Sequence, residues 1–459
     1  MKSVAIPFER RVVLSLASLY AFRMLGLFML LPVLALYGQD YAGATPALLG
    51  LALGAYGFSQ ALLQIPFGVL SDRLGRKPVI LVGLVIFALG SVIAAQSESV
   101  YGLIIGRFLQ GCGAISAAVM ALLTDLTSEE SRTKAMATIG ASIGVSFSLA
   151  LILGPWLASW GGMPAIFWLT AVLALVGIYL LYYQVPSVSH LKRPALARGE
   201  LFRQFAQLLV HRELLRLNLG IFVLHFVLMA SFMVLPLLLE KELEIDRQRH
   251  WMVYLPLLLG AFVAMLPFII LAEKRRQMKP VFLGALMLLG LMELALALSP
   301  VVMGLTLAYL FLFFMAFNLL EASLPSLVSK VAPAGAKGAA TGIYASCQFL
   351  GAFAGGAVGG WLLQTLGPSL VMLVCALLVL VWLLVAWFMK PPRYLASLLI
   401  PLGDQPRPGL AERLAAVEGV EEVVLLEGDS TAYLKVDPRR VDRTALTELI
   451  ESAPPDTQA

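Results

Sequence analysis

Charge is scarce in this chain. Lys, Arg, Asp and Glu together make up 13% of its 459 residues, against about a quarter in soluble domains. Apolar residues reach 60% and the mean hydropathy is +0.88. A water-soluble globule of this composition would expose apolar surface everywhere, so the bilayer is the natural solvent. Cysteine is scarcer still: Cys112, Cys347 and Cys375 each fall inside an apolar run. They have no paired metal-ligand spacing and offer no disulfide framework. Neither a nucleophile–base constellation nor a glycine–lysine–serine/threonine phosphate loop is found. Those absences argue against an enzyme, a resident metal or cofactor, and an ATP-driven pump.

What the chain does have is a series of long apolar runs. In lipid only helices and closed barrels satisfy their backbone hydrogen bonds. A barrel would show short alternating segments, whereas these runs approach the roughly 20 residues that a helical span requires. They predict an all-α membrane protein with twelve spans, at about 12–37, 47–70, 79–97, 101–125, 135–158, 163–184, 216–239, 251–272, 281–299, 302–327, 338–362 and 368–389. Lys2, Arg10 and Arg11 lead straight into the first run, which reads as a span starting in the cytoplasm rather than a cleaved signal. The loops on that side then collect Arg73, Arg76, Lys77, Arg132, Lys134, Lys192, Arg193, Arg198, Arg203, Arg212, Lys274, Arg275, Arg276, Lys279, Lys330, Lys337 and Lys390. The outer loops hold Lys241, Arg247 and Arg249. This bias places both termini in the cytoplasm of a bacterial inner-membrane protein. It also accounts for the net charge of +5 without a nucleic-acid partner.

Residues 185–215 are polar and basic and divide the membrane part into halves at 1–184 and 216–390. The halves resemble each other. Phe28-Met29-Leu30-Leu31-Pro32 matches Phe232-Met233-Val234-Leu235-Pro236. Pro66-Phe67, Asp72-Arg73 and Lys77-Pro78 match Pro267-Phe268, Glu273-Lys274 and Lys279-Pro280, and Lys134 and Thr138 match Lys337 and Thr341. A shared offset across separated places argues for a parallel repeat of six helices, an architecture that carries a substrate site between its halves.

Between the second and third spans stands Gly68-Val69-Leu70-Ser71-Asp72-Arg73-Leu74-Gly75-Arg76-Lys77-Pro78. Gly68 would allow a neighbouring helix to approach, Gly75 a tight turn, and Asp72 could face a helix N-terminus or a base. The fourth span begins Arg107-Phe108-Leu109-Gln110-Gly111. A mid-membrane charge costs about 2.5–3.5 kcal/mol on insertion scales and normally faces a cavity or a partner; an arginine snorkelling to the interface is the alternative. The fifth span carries Gly140, Gly144 and Gly154-Pro155. The loop resembles the glycine-x-x-x-aspartate-arginine-x-glycine-arginine-basic signature of the major facilitator superfamily. The fourth-span segment resembles that family's arginine-x-x-glutamine-glycine motif. Gly154-Pro155 is similar to its antiporter motif, with Ala158 where the closing glycine would be. The resemblance covers about residues 12–390 and points to the drug/proton antiporter branch. It implies the major facilitator fold, alternating access and export of a small-molecule substrate coupled to protons.

Proton coupling needs a titratable group reached from each side in turn. Glu321 in the tenth span is the foremost acid, with Asn318 on the same face. His225 in the seventh span lies deep in the membrane and suits coupling by its ordinary pKa; hydrogen-bonded packing is the alternative. Glu293 in the ninth span reads as locally paired. Arg23 in the first span stands where several antiporters of this branch have an acid. Together with Arg107 it makes a cationic substrate uncomfortable and anionic, zwitterionic or neutral amphipaths more comfortable, unless Arg23 serves to neutralise Glu321. Tyr20, Tyr56, Gln60, Gln64, Gln110, Tyr344 and Gln348 are further candidates to line the cavity, with Met229 and Met233 as adaptable contacts. Asp125 at the end of the fourth span is expected to pair with Arg73 as a latch.

After Lys390-Pro391-Pro392 the chain turns charged. Strands at 397–402, 420–427 and 431–436, a turn at 428–430, and helices at 410–418 and 443–452 predict a small α+β, ferredoxin-like cytoplasmic domain at 396–459. It is similar to heavy-metal-associated domains but lacks their cysteine pair, which argues against metal carriage; it reads as a regulatory or assembly module on the cytoplasmic face with its partner unassigned. The leading reading is a proton-coupled exporter of small amphipathic molecules. A symporter or facilitator for a nutrient, and a membrane sensor signalling through the tail, are the alternatives.

Overall fold

The computed structural model describes residues 2–127, 129–186, 206–333, 336–391, 396–401, 410–425, 431–436, 440–442 and 445–446. The linker cations Lys192, Arg193, Arg198 and Arg203, the turn at 428–430 and all but two residues of the helix at 443–452 lie outside them. Eleven described helical segments are long and apolar enough to cross a membrane. One of these, Lys134–Tyr183, is 50 residues long and holds two spans. Its helix is interrupted at Gly161 and Gly162, where Gly162 has φ +65°, a conformation that side-chain-bearing residues avoid. That break separates spans five and six, so the membrane part has twelve.

Local sequence sets the ends. Span two, Pro46–Leu74, starts with proline at its first turn, and Thr45 accepts a hydrogen bond from the Leu48 N–H at 3.2 Å. It stops at Gly75, whose φ of +95° turns the chain into span three, Arg76–Gln96. Two spans expected to be continuous are broken. Span one runs Lys2–Phe28 and resumes as Leu34–Tyr37. Span four runs Val100–Cys112 and resumes as Ser116–Leu126, because the backbone at Gly113 leaves helical geometry (φ −71°, ψ 48°). The remaining spans are Arg212–Leu237, His250–Lys274, Met278–Leu298, Met303–Val331, Lys337–Leu366 and Pro368–Trp387.

The internal repeat recurs as a pair of equivalent bonds. The Lys77 ammonium donates to the Val185 carbonyl at 2.7 Å, and the Lys279 ammonium donates to the Trp387 carbonyl at 2.8 Å; each acceptor lies 108 residues beyond its lysine. In both halves a basic residue opening the third helix is thereby tied to the cytoplasmic end of the sixth.

The halves meet along the outer part of spans two and eleven. A Cβ added to Gly356 would lie 2.7 Å from the Gly50 carbonyl oxygen and 2.9 Å from the Gly54 nitrogen. Gly57 and Gly360 make comparably close approaches to the facing helix, so the two backbones touch where side chains would otherwise stand. The Ala47 N–H donates to Gln364 Oε1 at 3.1 Å. Inward of Ser346, whose hydroxyl reaches the Ala61 carbonyl at 3.5 Å, the contact ends: Leu62, Leu70 and Leu74 are exposed and the space beside Gly342 is open.

Contact clustering divides the chain into two compact units. One comprises Met1–Lys192, Asn218–Ser323 and Gly342–Phe388; the other comprises Arg193–Leu217, Leu324–Thr341 and Met389–Ala459. In the second unit, strands β1 (Ala396–Pro401), β2 (Val420–Leu425) and β3 (Thr431–Val436) form a sheet in the order β1-β3-β2, with β3 antiparallel to both neighbours. The helix Leu410–Ala415 follows β1, which gives the split β-α-β arrangement of a ferredoxin-like domain. Leu410, Leu414, Ala432, Leu434 and Val436 form its core. Lys435 alternates to the other face yet is 6% exposed. Its ammonium donates to the carbonyls of Lys330 (3.4 Å) and Ala332, at the end of span ten, and pairs with Glu422 at 3.6 Å. A cation capping the carbonyl end of a helix is favourable on both hydrogen-bonding and dipole grounds.

Two outcomes follow. Gly356→Leu wedges spans two and eleven apart, so a cysteine at Ala47, in a chain without its three native cysteines, should react several-fold faster with an impermeant maleimide from outside; an unchanged rate would show that this packing does not hold the outer side shut. Lys435→Ala should increase hydrogen exchange of β3 and of residues 330–332, and exchange equal to the wild type would show that the lysine does not fasten the domain to the helix end.

Candidate functional site

In the cytoplasmic loop motif the hub is Arg76. Its guanidinium is 2.5 Å from the Asp72 carboxylate, 3.2 Å from the Asp125 carboxylate and 2.7 Å from the Ser71 hydroxyl. The expected Asp125–Arg73 latch is thus an Asp125–Arg76 pair, and Arg73 is exposed. The reason is the turn: the backbone reverses at Gly75 (φ +95°), and Arg76, the first residue of span three, is carried back against Asp72 at the end of span two. The helix that neighbours Gly68 is the second segment of span four. A Cβ there would meet Ala117 of the same half at 3.4 Å, an ordinary contact.

The first half contains a buried polar ladder across spans one to four. Arg23 is 2% exposed and donates to the Ser116 hydroxyl at 3.1 Å and to the carboxamide oxygen of Gln60. The Gln60 amide donates onward to Gln64 at 3.1 Å and Ser116 at 3.3 Å. Arg107 is 0% exposed; it donates to Gln110 Oε1 at 2.8 Å and to the Ala52 carbonyl at 3.4 Å. Gln110 in turn donates to the Ser91 hydroxyl at 2.8 Å. Both guanidiniums approach the ring of Tyr56, at 5.7 Å for Arg23 and 5.0 Å for Arg107, within cation–π range. Arg107 does not snorkel, and Arg23 does not neutralise Glu321. Tyr20, one turn below Arg23, is half-buried. The break in span four sets this geometry, since Ser116 opens the second segment directly beneath the Gly113 interruption.

The second half carries a smaller cluster. The Gln348 amide lies 2.8 Å from His225 Nε2 and 3.4 Å from Glu321 Oε1, and His225 Nδ1 is 3.9 Å from Glu321 Oε2. The His225 side chain is 7% exposed and that of Glu321 is 34% exposed. Asn318 is half-buried on the adjacent turn. Tyr344 is buried with its hydroxyl unpartnered. Phe147 of span five stacks on Phe317 of span ten at 6.2 Å, so the two halves also meet beside this cluster. Glu293 is 0% exposed and accepts from the Ser231 hydroxyl at 2.7 Å, the local pairing expected of it. Met229 and Met233 are packed at 2% and 1% exposure rather than lining a cavity.

In span five, Gly154 faces the Met29 backbone of span one so closely that a Cβ would collide with it; Met29 lies in the break of that span. Pro155 and Ala158 are buried, and Gly144 is exposed with open space beside it. Sequence reading missed Ser91 and Ser116 as members of the ladder, and Ser59, whose hydroxyl donates across to the Phe108 carbonyl of span four at 2.7 Å. The signal available was the glycine pair Gly111 and Gly113, which marks close approach and a broken helix. A Cβ at Gly111 would strike the Tyr56 carbonyl and the Ser59 hydroxyl. Among the described residues no cluster of His, Cys, Asp and Glu is arranged to hold a metal ion.

A family model described as Major Facilitator Superfamily matches residues 16–356, and one described as YajR YAM domain matches residues 402–452. The chain is 46% identical over 452 residues to the inner membrane transport protein YajR of Escherichia coli (strain K12), covering 97% of this chain and 98% of that one. It is 31% identical over 234 residues to the chloramphenicol resistance protein CraA of Acinetobacter baumannii, covering 50% of this chain and 56% of that one. A bacterial homologue of the human lysosomal transporter Spinster, solved in an inward-facing and unoccupied conformation, superposes with a TM-score of 0.65 at 15% identity over 83% of this chain and 98% of that one.

The loop geometry separates its two arginines. Arg76→Gln removes a partly buried, charge-assisted set of bonds and should destabilise the protein by about 1.5–3 kcal/mol, lowering the thermal midpoint in detergent. Arg73→Gln should leave that midpoint in place. Equal effects of the two substitutions would contradict the assignment of Arg76 as the hub.

Proposed function

The chain belongs to the Major Facilitator Superfamily, and from that premise we propose that it is a proton-coupled exporter of small amphipathic molecules working by alternating access. The observation that carries the reading is the Glu321–Gln348–His225 cluster. Of the two carboxylates deep in the spans, Glu293 is sealed, while the Glu321 side chain is 34% exposed. Its Oε2 is buried without a hydrogen-bond partner, and an intramembrane acid that no full set of partners holds is the natural candidate for a proton carrier. Its hydrogen bond to span eleven ties its charge state to one of the two helices at the contact between the halves. Loss of the charge on protonation weakens the Gln348 bond and so biases how span eleven is held.

Export is supported by Gly154-Pro155, which brings span five onto the broken part of span one, and by the resistance function named for one relative. The Asp72–Arg76–Asp125 set belongs to the same scheme as a brace that holds spans two, three and four of the first half together. The chain's residues suffice for this cycle without a bound cofactor.

Reconstitution in liposomes with an internal pH dye tests the proposal against a panel of anionic, neutral and cationic amphipaths. A compound-dependent proton flux that opposes movement of the compound, and that disappears in E321Q, is the expected result. Flux in the same direction as the compound would make the protein a symporter. Transport without any proton movement would remove Glu321 from the coupling.

A further inference from the structure

The proton cluster leaves two buried cations in the first half without a task. Every acid of that half, Glu9, Asp40, Asp72, Glu98, Asp125, Glu129 and Glu130, lies at the end of a span or beyond it. Among the described residues neither Arg23 nor Arg107 pairs with a carboxylate. A buried guanidinium without a counter-ion is costly, and two beside one ring are more so. Their protein partners are all neutral: two carboxamide oxygens, one hydroxyl and one backbone carbonyl. Donors are left over. Arg23 Nε, Arg107 Nη2 and the Tyr56 hydroxyl are buried without a hydrogen-bond partner.

We propose that Arg23, Arg107 and Tyr56 form the seat for an anionic group of the transported molecule, a carboxylate or comparable oxyanion borne on an apolar body. The seat rests on the exporter reading only in taking the bound molecule as the substrate. In this structure the Gln60 carboxamide oxygen occupies the place on Arg23 that an anion's oxygen would take. A charged acceptor makes shorter bonds to guanidinium, roughly twice as strong as those of a neutral amide, and binds it in two-pronged fashion. When the Gln60 oxygen gives way, its amide remains held by Gln64 and Ser116. The ladder leads from Gln64 past Arg23 to Arg107, so an anion displacing Gln60 would find a second cation one ring further on. Glu321 is not the internal occupant, because it is engaged with Gln348 on the other half.

Binding to the purified full-length protein in detergent, measured by calorimetry, tests the seat with three probes that share one body: 4-phenylbutyrate, 4-phenylbutan-1-ol and 4-phenylbutylamine. The acid should bind about tenfold or more tighter than either of the others. Arg23→Gln should weaken the acid by about 30-fold or more, Arg23→Lys by less, and neither should alter the alcohol. Gln60→Glu places a carboxylate on the seat from within. It should abolish acid binding while raising the thermal midpoint, a readout that does not depend on the arginine variants folding. A purely structural role for the arginines also predicts the higher midpoint, but with acid binding unchanged, and that result would overturn the proposal. No binding of the acid, equal binding of acid and alcohol, or preference for the amine would overturn it too. E321Q should bind the acid as the wild type does, so loss of proton flux alone refutes the coupling scheme and leaves the seat standing.

Discussion

A guanidinium in the middle of a bilayer must be hydrogen-bonded on nearly every side, and the first six spans are organised around meeting that demand twice. Arg23 and Arg107 draw acceptors from spans two and four, and Gln110 reaches on to Ser91 in span three. To bring them within reach, span four gives up three residues of helix at Gly113–Ile115 and packs Gly111 against the backbone of span two. The break supplies Ser116 at the depth where Arg23 needs it. Each of these departures from a straight apolar helix would be unfavourable alone; together they solvate two charges from within. The second half has no such pair and its spans at the same places, seven and ten, run as unbroken helices.

Around that polar interior the mechanical elements are of two kinds. Spans two and eleven meet through glycine at Gly50, Gly54 and Gly356, a dry contact with little to lose on parting. The cytoplasmic ends are tied by charges, through Arg76 to two carboxylates and through Lys77 and Lys279 to helix-end carbonyls. In the conformation described, the glycine contact is made. The Arg76 set stays assembled within one half, which identifies it as a brace of that half rather than a bolt between halves. The matching lysine bonds show that the repeat is conserved in mechanics as well as in sequence between the two six-helix units.

Much of this was legible in the chain itself, for definable reasons. Span number, orientation and the repeat follow from the length of apolar runs and the sidedness of Lys and Arg, which are additive properties and survive small local errors. The interruption of span four was not legible, since hydropathy is blind to three residues leaving the helix. Ser91 and Ser116 escaped notice because a hydroxyl in a membrane helix usually donates to its own carbonyl four residues back, as Ser91 does to Phe87, and only the fold reveals which oxygens also accept from a neighbouring helix. The choice of Arg73 over Arg76 was not legible either: Asp72 and Arg76 lie on different helices, and only the turn at Gly75 brings them together. The tail's strands were legible from alternation, but Lys435 on β3 reads as a solvent-facing residue until the end of span ten is placed beneath it.

The charges in the two halves also constrain what kind of molecule fits the proposed cycle. An anion held by Arg23 and Arg107 does not compete with a proton for Glu321. Protonating that carboxylate removes a negative charge from the cavity and makes an anion more welcome. Pure anions would therefore travel with the proton, the sense of a symporter. Exchange requires that proton and substrate exclude each other at Glu321, which takes a cationic group on the substrate. On the proposed scheme, a molecule satisfies both halves when its acidic group sits at the arginines and its basic group faces the carboxylate. A zwitterionic amphipath meets that description: its negative end supplies the counter-ion that the first half lacks, and its positive end displaces the proton from the second.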